Sequence, residues 1–231
     1  MVNEGGLLNG LMLVAASFIF LLSVYLEHRR WKDLLSSSAM GISTVFWTLA
    51  GALTFFMGAR QIAAYFGAYG IDKTFFLAAG IPGSIIAAPV IGLLVFTLTG
   101  DRKRTLLAEL AVALLALWSV ILAAQEGFVG PHVTYWGTQY DLVSGLAKIV
   151  IMAGLLLPGV IGSAALLWMS RYSQSPRIGR SLFLSSLSML VFMASVSLDT
   201  IIGGSSGELI LLFRLLVVAS AVLAFRAYAV E

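Results

Sequence analysis

The chain has 231 residues, of which 60% are hydrophobic and 11% are charged, whereas soluble domains contain about 25% charged residues. This composition excludes a protein that folds mainly in water, and no polar stretch is long enough for a soluble catalytic domain. The net charge of +3 needs no nucleic-acid partner, because basic residues beside membrane spans account for it. Without cysteine, the chain has neither disulfides nor thiolate metal sites.

Seven apolar stretches follow one another along the chain. A helix needs about 20 largely apolar residues to cross a bilayer. We therefore predict an all-α bundle of seven transmembrane helices, formed by a single domain of residues 1–231. The predicted spans cover residues 6–26, 39–66, 74–99, 105–125, 142–170, 179–202 and 208–228.

Lys and Arg concentrate in every second connection between these spans. The connections after the first, third and fifth spans carry Arg29, Arg30, Lys32, Arg102, Lys103, Arg104, Arg171, Arg177 and Arg180. The alternate connections carry Lys73 and, at a helix end, Arg60. Because basic loops remain in the cytoplasm, we predict an N-terminus outside, a C-terminus in the cytoplasm and a location in the cell membrane.

Four ionisable residues on four different spans are predicted to share the outer third of the membrane. They are Arg60, Lys148, Asp199 and Arg214. Intramembrane charges cost roughly 2.5–3.5 kcal/mol each on insertion scales and usually face the protein interior. One interpretation is a structural salt bridge between Asp199 and either Lys148 or Arg214. The other is a binding site in which three cations and one carboxylate attract a small anion or a lipid headgroup.

The sixth predicted span has a polar face along nearly its whole length. At 100° per residue, an arc of about 80° contains Ser181, Ser185, Ser188, Ser195 and Asp199. Phe192 lies on the same face, in the gap between Ser188 and Ser195. This pattern indicates either close helix packing through small residues or a polar path that ends at Asp199 and is closed by Phe192.

Three prolines interrupt two of the predicted spans. Pro82 and Pro89 lie in the third span and Pro158 lies in the fifth. Each proline removes a backbone hydrogen bond and tends to bend a helix. We expect bent, closely packed helices there, or a hinge that lets the bundle rearrange.

The longest outer connection, residues 126–141, is rich in aromatic residues and glycines. Gly127, Gly130 and Pro131 favour turns, and Tyr135 and Trp136 are typical of a membrane interface. The loop is therefore predicted to anchor helix ends, or to form a lid over an outward-facing pocket.

The seven-helix layout is similar in topology to microbial rhodopsins and to seven-helix sensory receptor modules. The rhodopsin resemblance implies a retinal-binding lysine on the last helix, where this chain has Arg214 and no lysine. His28 and His132 fall near opposite membrane surfaces, so they cannot bind one haem together. We expect no cofactor and no metal.

These features predict a non-enzymatic sensor or binding protein with a small-ligand or lipid site near Arg60, Lys148, Asp199 and Arg214. One alternative is a transporter or channel that moves protons, cations or a small anion along the sixth span. Another is an accessory subunit of a larger membrane complex. The expected partners are membrane lipids, a small anionic ligand, and a protein bound at the cytoplasmic loops or within the membrane.

Overall fold

The computed structural model describes residues 4–31, 37–143, 145–173, 175–202 and 207–229. Within these ranges the helices and strands, in chain order, are α1 (Glu4–Trp31), α2 (Ser37–Tyr65), α3 (Tyr69–Ile85), α4 (Ala87–Thr99), α5 (Arg102–Glu126), β1 (Phe128–Thr134), β2 (Gly137–Leu142), α6 (Leu146–Ile149), a π-helical segment (Val150–Leu156), α7 (Leu157–Met169), a 3₁₀ turn (Ser170–Tyr172), α8 (Pro176–Ile202) and α9 (Gly207–Ala229).

The described part of the chain contains seven helical segments long and apolar enough to cross a membrane. They are Gly5–Arg29, Ser38–Tyr65, Tyr69–Thr99, Arg102–Glu126, Leu146–Tyr172, Ile178–Thr200 and Glu208–Ala229. The predicted number of such segments is confirmed. The largest difference in a boundary is at the third segment, which begins at Tyr69 instead of residue 74.

The core of the bundle contains an aromatic cluster contributed by α1, α2 and α8. The ring of Phe20 stacks on Trp47 with centroids 5.7 Å apart and meets the edge of Phe192 at 5.4 Å. Phe46 contacts both Trp47 and Phe192, and all four side chains are buried. Aromatic pairs in these geometries add about 0.5–1.5 kcal/mol beyond the area that they bury, so this cluster fixes how the three helices pack.

Prolines explain where two of the spans lose regular helical hydrogen bonding. α3 ends at Ile85, whose carbonyl would normally accept from residue 89, but Pro89 has no N–H to donate. In the fifth span, the π-helical segment ends just before α7, and Leu157 donates to the carbonyl of Met152, five residues back. Pro158 follows directly. The predicted interruptions near Pro89 and Pro158 therefore coincide with a break and a π-bulge, whereas α3 continues past Pro82 to Ile85.

Residues 128–142 form a hairpin where the sequence analysis predicts only turns. β1 and β2 pair antiparallel, with a bulge between Val129 and His132. The fifth span consequently starts at Leu146 and not at 142. Its first turn is capped by Glu126, whose carboxylate accepts from the backbone N–H groups of Leu146 and Ala147 at 2.9 and 3.1 Å. The structure thus adds a two-stranded sheet to the predicted all-α bundle.

The hairpin lies at the same end of the bundle as the first residues of α1. The backbone N–H of Gly5 donates to the carbonyl of Tyr135 at 2.9 Å, and Asn9 Nδ2 donates to the carbonyl of Trp136 at 2.7 Å. We call this end the hairpin end. The opposite end, which carries Arg29 and Arg102, is called the basic end.

Candidate functional site

The first ion pair at the hairpin end joins Arg60, near the end of α2, to Asp72, in the first turn of α3. Arg60 Nε donates to Asp72 Oδ1 at 3.0 Å, and the side chains are 3% and 0% exposed. The early start of α3 places Asp72 inside the bundle, where a carboxylate in the first helical turn also interacts favourably with the helix dipole. Asp72 is therefore the partner of Arg60, which the sequence analysis missed.

Thr138 connects β2 to this ion pair. Its carbonyl accepts from Arg60 Nη2 at 2.8 Å and from Gln61 Nε2 at 2.9 Å. Its hydroxyl donates to Asp72 Oδ2 at 2.8 Å, and its N–H donates to Gln61 Oε1 at 2.8 Å. All these groups are buried and satisfied within one network, so β2 is held firmly against the ends of α2 and α3.

Two aromatic rings flank the Arg60 guanidinium. Its central carbon lies 5.1 Å from the ring centroid of Phe76 and 5.1 Å from that of Tyr140. Burial raises the pKa of the Tyr140 phenol to about 12, and the negative charge of Asp72 acts in the same direction. The phenol is therefore neutral at physiological pH, and Arg60 gains cation–π contacts in addition to its ion pair.

A second ion pair joins α8 to α9. Arg214 Nη1 donates to Asp199 Oδ2 at 2.8 Å, with side chains 6% and 15% exposed. Of the two partners predicted for Asp199, the structure selects Arg214. Lys148 is half-buried in α6 and forms no ion pair with a residue in the described ranges.

Arg60 and both members of the Asp199–Arg214 pair border a cavity of about 340 Å³ beneath the hairpin, a volume within the range of about 300–1,000 Å³ typical of small-molecule sites. Its polar wall contains Arg60, Gln139, Asp141, Asp199 and Arg214. Its apolar wall includes Leu53, Met57, Phe76, Ile151, Leu156 and Val196. Three of the four predicted ligand-binding residues thus line one cavity, while Lys148 lies outside its wall.

The predicted surplus of positive charge is not present in this cavity. Each arginine has its own carboxylate, since buried Asp72 pairs with Arg60 and half-buried Asp199 pairs with Arg214. A further carboxylate, Asp141, is 32% exposed and lies 3.6 Å from the ring of His132. The two arginines at the cavity are therefore neutralised, and Asp141 adds a negative charge, whereas the sequence analysis counted three cations and one acid.

Three polar atoms of the cavity-lining residues are buried without a hydrogen-bond partner among the described residues. They are Asp199 Oδ1, Arg214 Nε and Gln139 Oε1. Leaving such a group unsatisfied costs about 1–3 kcal/mol. Residues that line the cavity therefore carry buried, unpaired hydrogen-bonding atoms of both kinds, a donor and acceptors.

The polar face of α8 contacts α9 along its length. Three serine hydroxyls donate to backbone carbonyls of α9: Ser181 to Ala227 at 2.8 Å, Ser188 to Ser220 at 2.7 Å and Ser195 to Phe213 at 2.7 Å. The hydroxyl of Ser185 shares a hydrogen bond of 3.1 Å with the hydroxyl of Tyr228. Phe192 is buried in the aromatic core between them. These contacts are those of a packed helix interface.

A second buried carboxylate lies at the basic end. Glu27 of α1 is fully buried, and its Oε2 accepts from Thr44 Oγ1 at 3.4 Å. Nearby, the Tyr228 hydroxyl accepts from Trp47 Nε1 at 3.1 Å and lies 3.2 Å from the hydroxyl of Ser43. The sequence analysis missed this cluster because the predicted first span ends at residue 26.

The sequence analysis did not place Asp72 or Gln139 with the site, and it considered Asp141 only as a possible counter-charge. Asp72 was assigned to a connection, and Gln139 and Asp141 to an irregular loop. A usable signal was the depth of Arg60, because an arginine near a helix end with no acid on its own helix requires a carboxylate from a neighbouring segment.

Among the described residues, no group of three or more His, Cys, Asp or Glu side chains is arranged to hold a metal ion.

In comparisons with known proteins, no family model, no curated protein and no solved structure matches this chain. The fold therefore defines the class of protein, which is a multi-pass membrane protein with seven candidate spanning helices.

Proposed function

We propose that this chain is a non-enzymatic sensor or binding protein of the cell membrane that holds a small ligand or lipid in the cavity beneath the hairpin. The cavity itself carries the proposal, because it combines a largely apolar wall with a small group of polar residues at one end. Sites for small molecules in proteins usually have this composition.

The cavity reaches the exposed outer surface of α3, which would face lipid if the bundle spans a membrane. Leu77 and Ile81 on α3 line it and are nevertheless 47% and 57% exposed. Gly80, between them, leaves open space where a side chain would otherwise project. A membrane-dissolved ligand would enter beside these residues without disturbing the hairpin.

The cavity also touches the two spans with irregular helical hydrogen bonding. Ser84 lies two residues before the break at Ile86, and Ile151 and Leu156 belong to the π-helical segment. A ligand that contacts these residues differently in two arrangements of the bundle would shift the balance between them. We propose that such a shift is transmitted along the third and fifth spans to the basic end, where a protein partner would detect it.

The proposal places the hairpin end outside the cell and the basic end in the cytoplasm. Single cysteines at Lys103 and Ser175 should resist an impermeant maleimide in intact cells, whereas cysteines at Lys73 and His132 should react. Reaction at position 103 from outside would reverse the orientation. Lys32, which the sequence analysis also assigned to the cytoplasm, lies outside the described residues.

Two glycines on α3 allow a matched test of binding. A Cβ atom added at Gly80 or at Gly70 would have no atom within 4 Å, but only Gly80 lines the cavity. Native mass spectrometry of the purified protein should show a bound small molecule or lipid that survives in Gly70→Leu and is lost in Gly80→Leu. The same bound species at the same occupancy in both variants would refute the proposal.

The alternatives receive less support. A transport route along α8 requires its serine hydroxyls to line a hydrated path, whereas all four contact α9 directly. The role of an accessory subunit rests on composition alone.

A further inference from the structure

The chemistry of the cavity wall restricts the class of ligand. We infer that the cavity takes an amphipathic molecule whose head group is uncharged and both donates and accepts hydrogen bonds, such as a hydroxyl or an amide, in preference to an anion. This inference rests on the proposed function and specifies the ligand of the same site.

The charges around the cavity disfavour an anionic ligand. Arg60 and Arg214 are buried, and each is already neutralised by a carboxylate at 3.0 and 2.8 Å. Asp141, the remaining charge on the wall, is partly exposed and carries a negative sign. An anionic head group would therefore lose its hydration without meeting an unpaired cation, which is costly in a desolvated site.

Two polar atoms of the Asp199–Arg214 pair have no hydrogen-bond partner among the described residues. Arg214 Nε can only donate a hydrogen bond, and Asp199 Oδ1, as a carboxylate oxygen, can only accept one. The two atoms belong to the two members of one ion pair. A hydroxyl or an amide satisfies both requirements, whereas a carboxylate or phosphate dianion cannot donate and a quaternary ammonium can do neither.

Gln139 extends the polar end of the cavity. Its side chain is 8% exposed, and its amide oxygen has no partner among the described residues. An amide group offers both donors and an acceptor, so a head group with more than one hydroxyl would find a further partner there.

The apolar wall accounts for the other half of the ligand. Leu53, Met57, Ile151 and Val196 line the cavity away from the ion pairs, and the exposed α3 residues Leu77 and Ile81 lie at its lipid-facing edge. A hydrocarbon chain packed along these residues would remain in an apolar environment from head group to bilayer. The site therefore fits an amphiphile better than a fully water-soluble molecule.

Three probes with the same ten-carbon chain and different head groups test the inference. They are 1-decanoyl glycerol, which is neutral and carries hydroxyls, decanoate, which is an anion, and decyltrimethylammonium, which is a cation. Binding to the full chain in nanodiscs should be tightest for 1-decanoyl glycerol and about tenfold or more weaker for both ions, because each ion leaves a buried polar group unpaired. Equal or tighter binding of decanoate would overturn the inference.

Charge-changing variants make the test sharper. Asp199→Asn leaves Arg214 without its counter-ion, so this variant should gain affinity for decanoate by about tenfold. Arg214→Gln leaves Asp199 unpaired and should instead favour decyltrimethylammonium. Lys148→Gln removes one positive charge from a residue outside the cavity wall and should leave the order of the three probes unchanged. A Lys148→Gln effect as large as that of Arg214→Gln would mean that overall charge, and not this ion pair, sets the preference.

Failure of the inference can be separated from failure of the proposed function. If decanoate binds best and Gly80→Leu abolishes its binding, the cavity is a ligand site but the inferred class is wrong. If no probe binds, or if each binds Gly80→Leu as tightly as the native chain, this inference is overturned. In that case the native mass spectrometry described above decides whether the cavity holds any other ligand.

Discussion

Arg60 and Asp72 lie 3.0 Å apart in an ion pair that is almost completely shielded from solvent. The same two side chains also bind Thr138 of β2. One interaction therefore joins the ends of two helices to the hairpin that covers the cavity. The hairpin is held in place by charged groups inside the bundle and not by surface contacts alone.

Breaking the Arg60–Asp72 pair should destabilise the protein strongly. Removal of one partner of a buried ion pair leaves an uncompensated charge and typically costs about 3–5 kcal/mol. We expect this loss for Asp72→Asn, and a smaller loss when Arg60→Met is added, which can be measured by unfolding in detergent. Arg104→Ala is the control, because its partner Asp101 and the arginine itself are exposed and such pairs contribute about 0–1 kcal/mol.

The Asp199–Arg214 pair should show energetic coupling that Lys148 does not share. We expect Asp199→Ala and Arg214→Met each to lower the unfolding free energy, and the double variant to recover about 1–3 kcal/mol relative to additivity. The cycle of Asp199→Ala with Lys148→Met should be additive. Coupling to Lys148 and additivity with Arg214 would contradict the structure.

Gly137 should be essential for docking of the hairpin. Its φ angle is +138°, and a Cβ atom there would overlap the carboxamide of Gln61. Gly137→Ala should therefore cost about 1–3 kcal/mol and lower the hydrogen-exchange protection of residues 128–142. Gly70→Ala, at a helical position with free space, should leave that protection intact.

The raised pKa of Tyr140 should appear as a loss of stability at alkaline pH. The folded state keeps the phenol protonated to about pH 12, whereas the unfolded tyrosine ionises near 10.0. Stability is therefore lost as the pH rises from about 10 to 12, because the unfolded phenol ionises in this range while the folded one stays protonated. The difference in unfolding free energy between the native chain and Tyr140→Phe, measured at pH 8 and again at pH 11, should shift in favour of the variant. An unchanged difference would show that the phenol ionises at its ordinary pKa.

Phe192→Ala separates a packed interface from a transport route. As a large-to-small change in the core, it should cost about 3–5 kcal/mol and produce no proton leak in reconstituted vesicles. A leak that also changes in Asp199→Asn would instead support the path along α8. Ser188→Ala is the companion variant, with an expected cost of about 0.6 kcal/mol for a hydrogen bond between membrane helices.

Hydrophobicity along the chain was sufficient to predict the number and approximate limits of the spanning helices. Each segment of about 20 apolar residues must satisfy its own backbone hydrogen bonds within a bilayer, so its length and composition define it locally. The helix irregularities near Pro89 and Pro158 were predictable for the same reason, since a missing N–H is a property of the residue itself. The grouping of Arg60, Asp199 and Arg214 followed from their similar depth.

Tertiary structure decided which of these charges form pairs and what surrounds them. Depth alone could not choose between Lys148 and Arg214 as the partner of Asp199, because helix rotation and helix order are set by packing. Asp72 lies inside the bundle because a tight turn joins α2 to α3, where it pairs with Arg60. The hairpin packs on the bundle through contacts of Thr138 with Gln61 and Arg60. Such contacts join residues as many as 78 positions apart. The ion pairs neutralise both arginines of a cavity that the sequence, read helix by helix, presented as cationic.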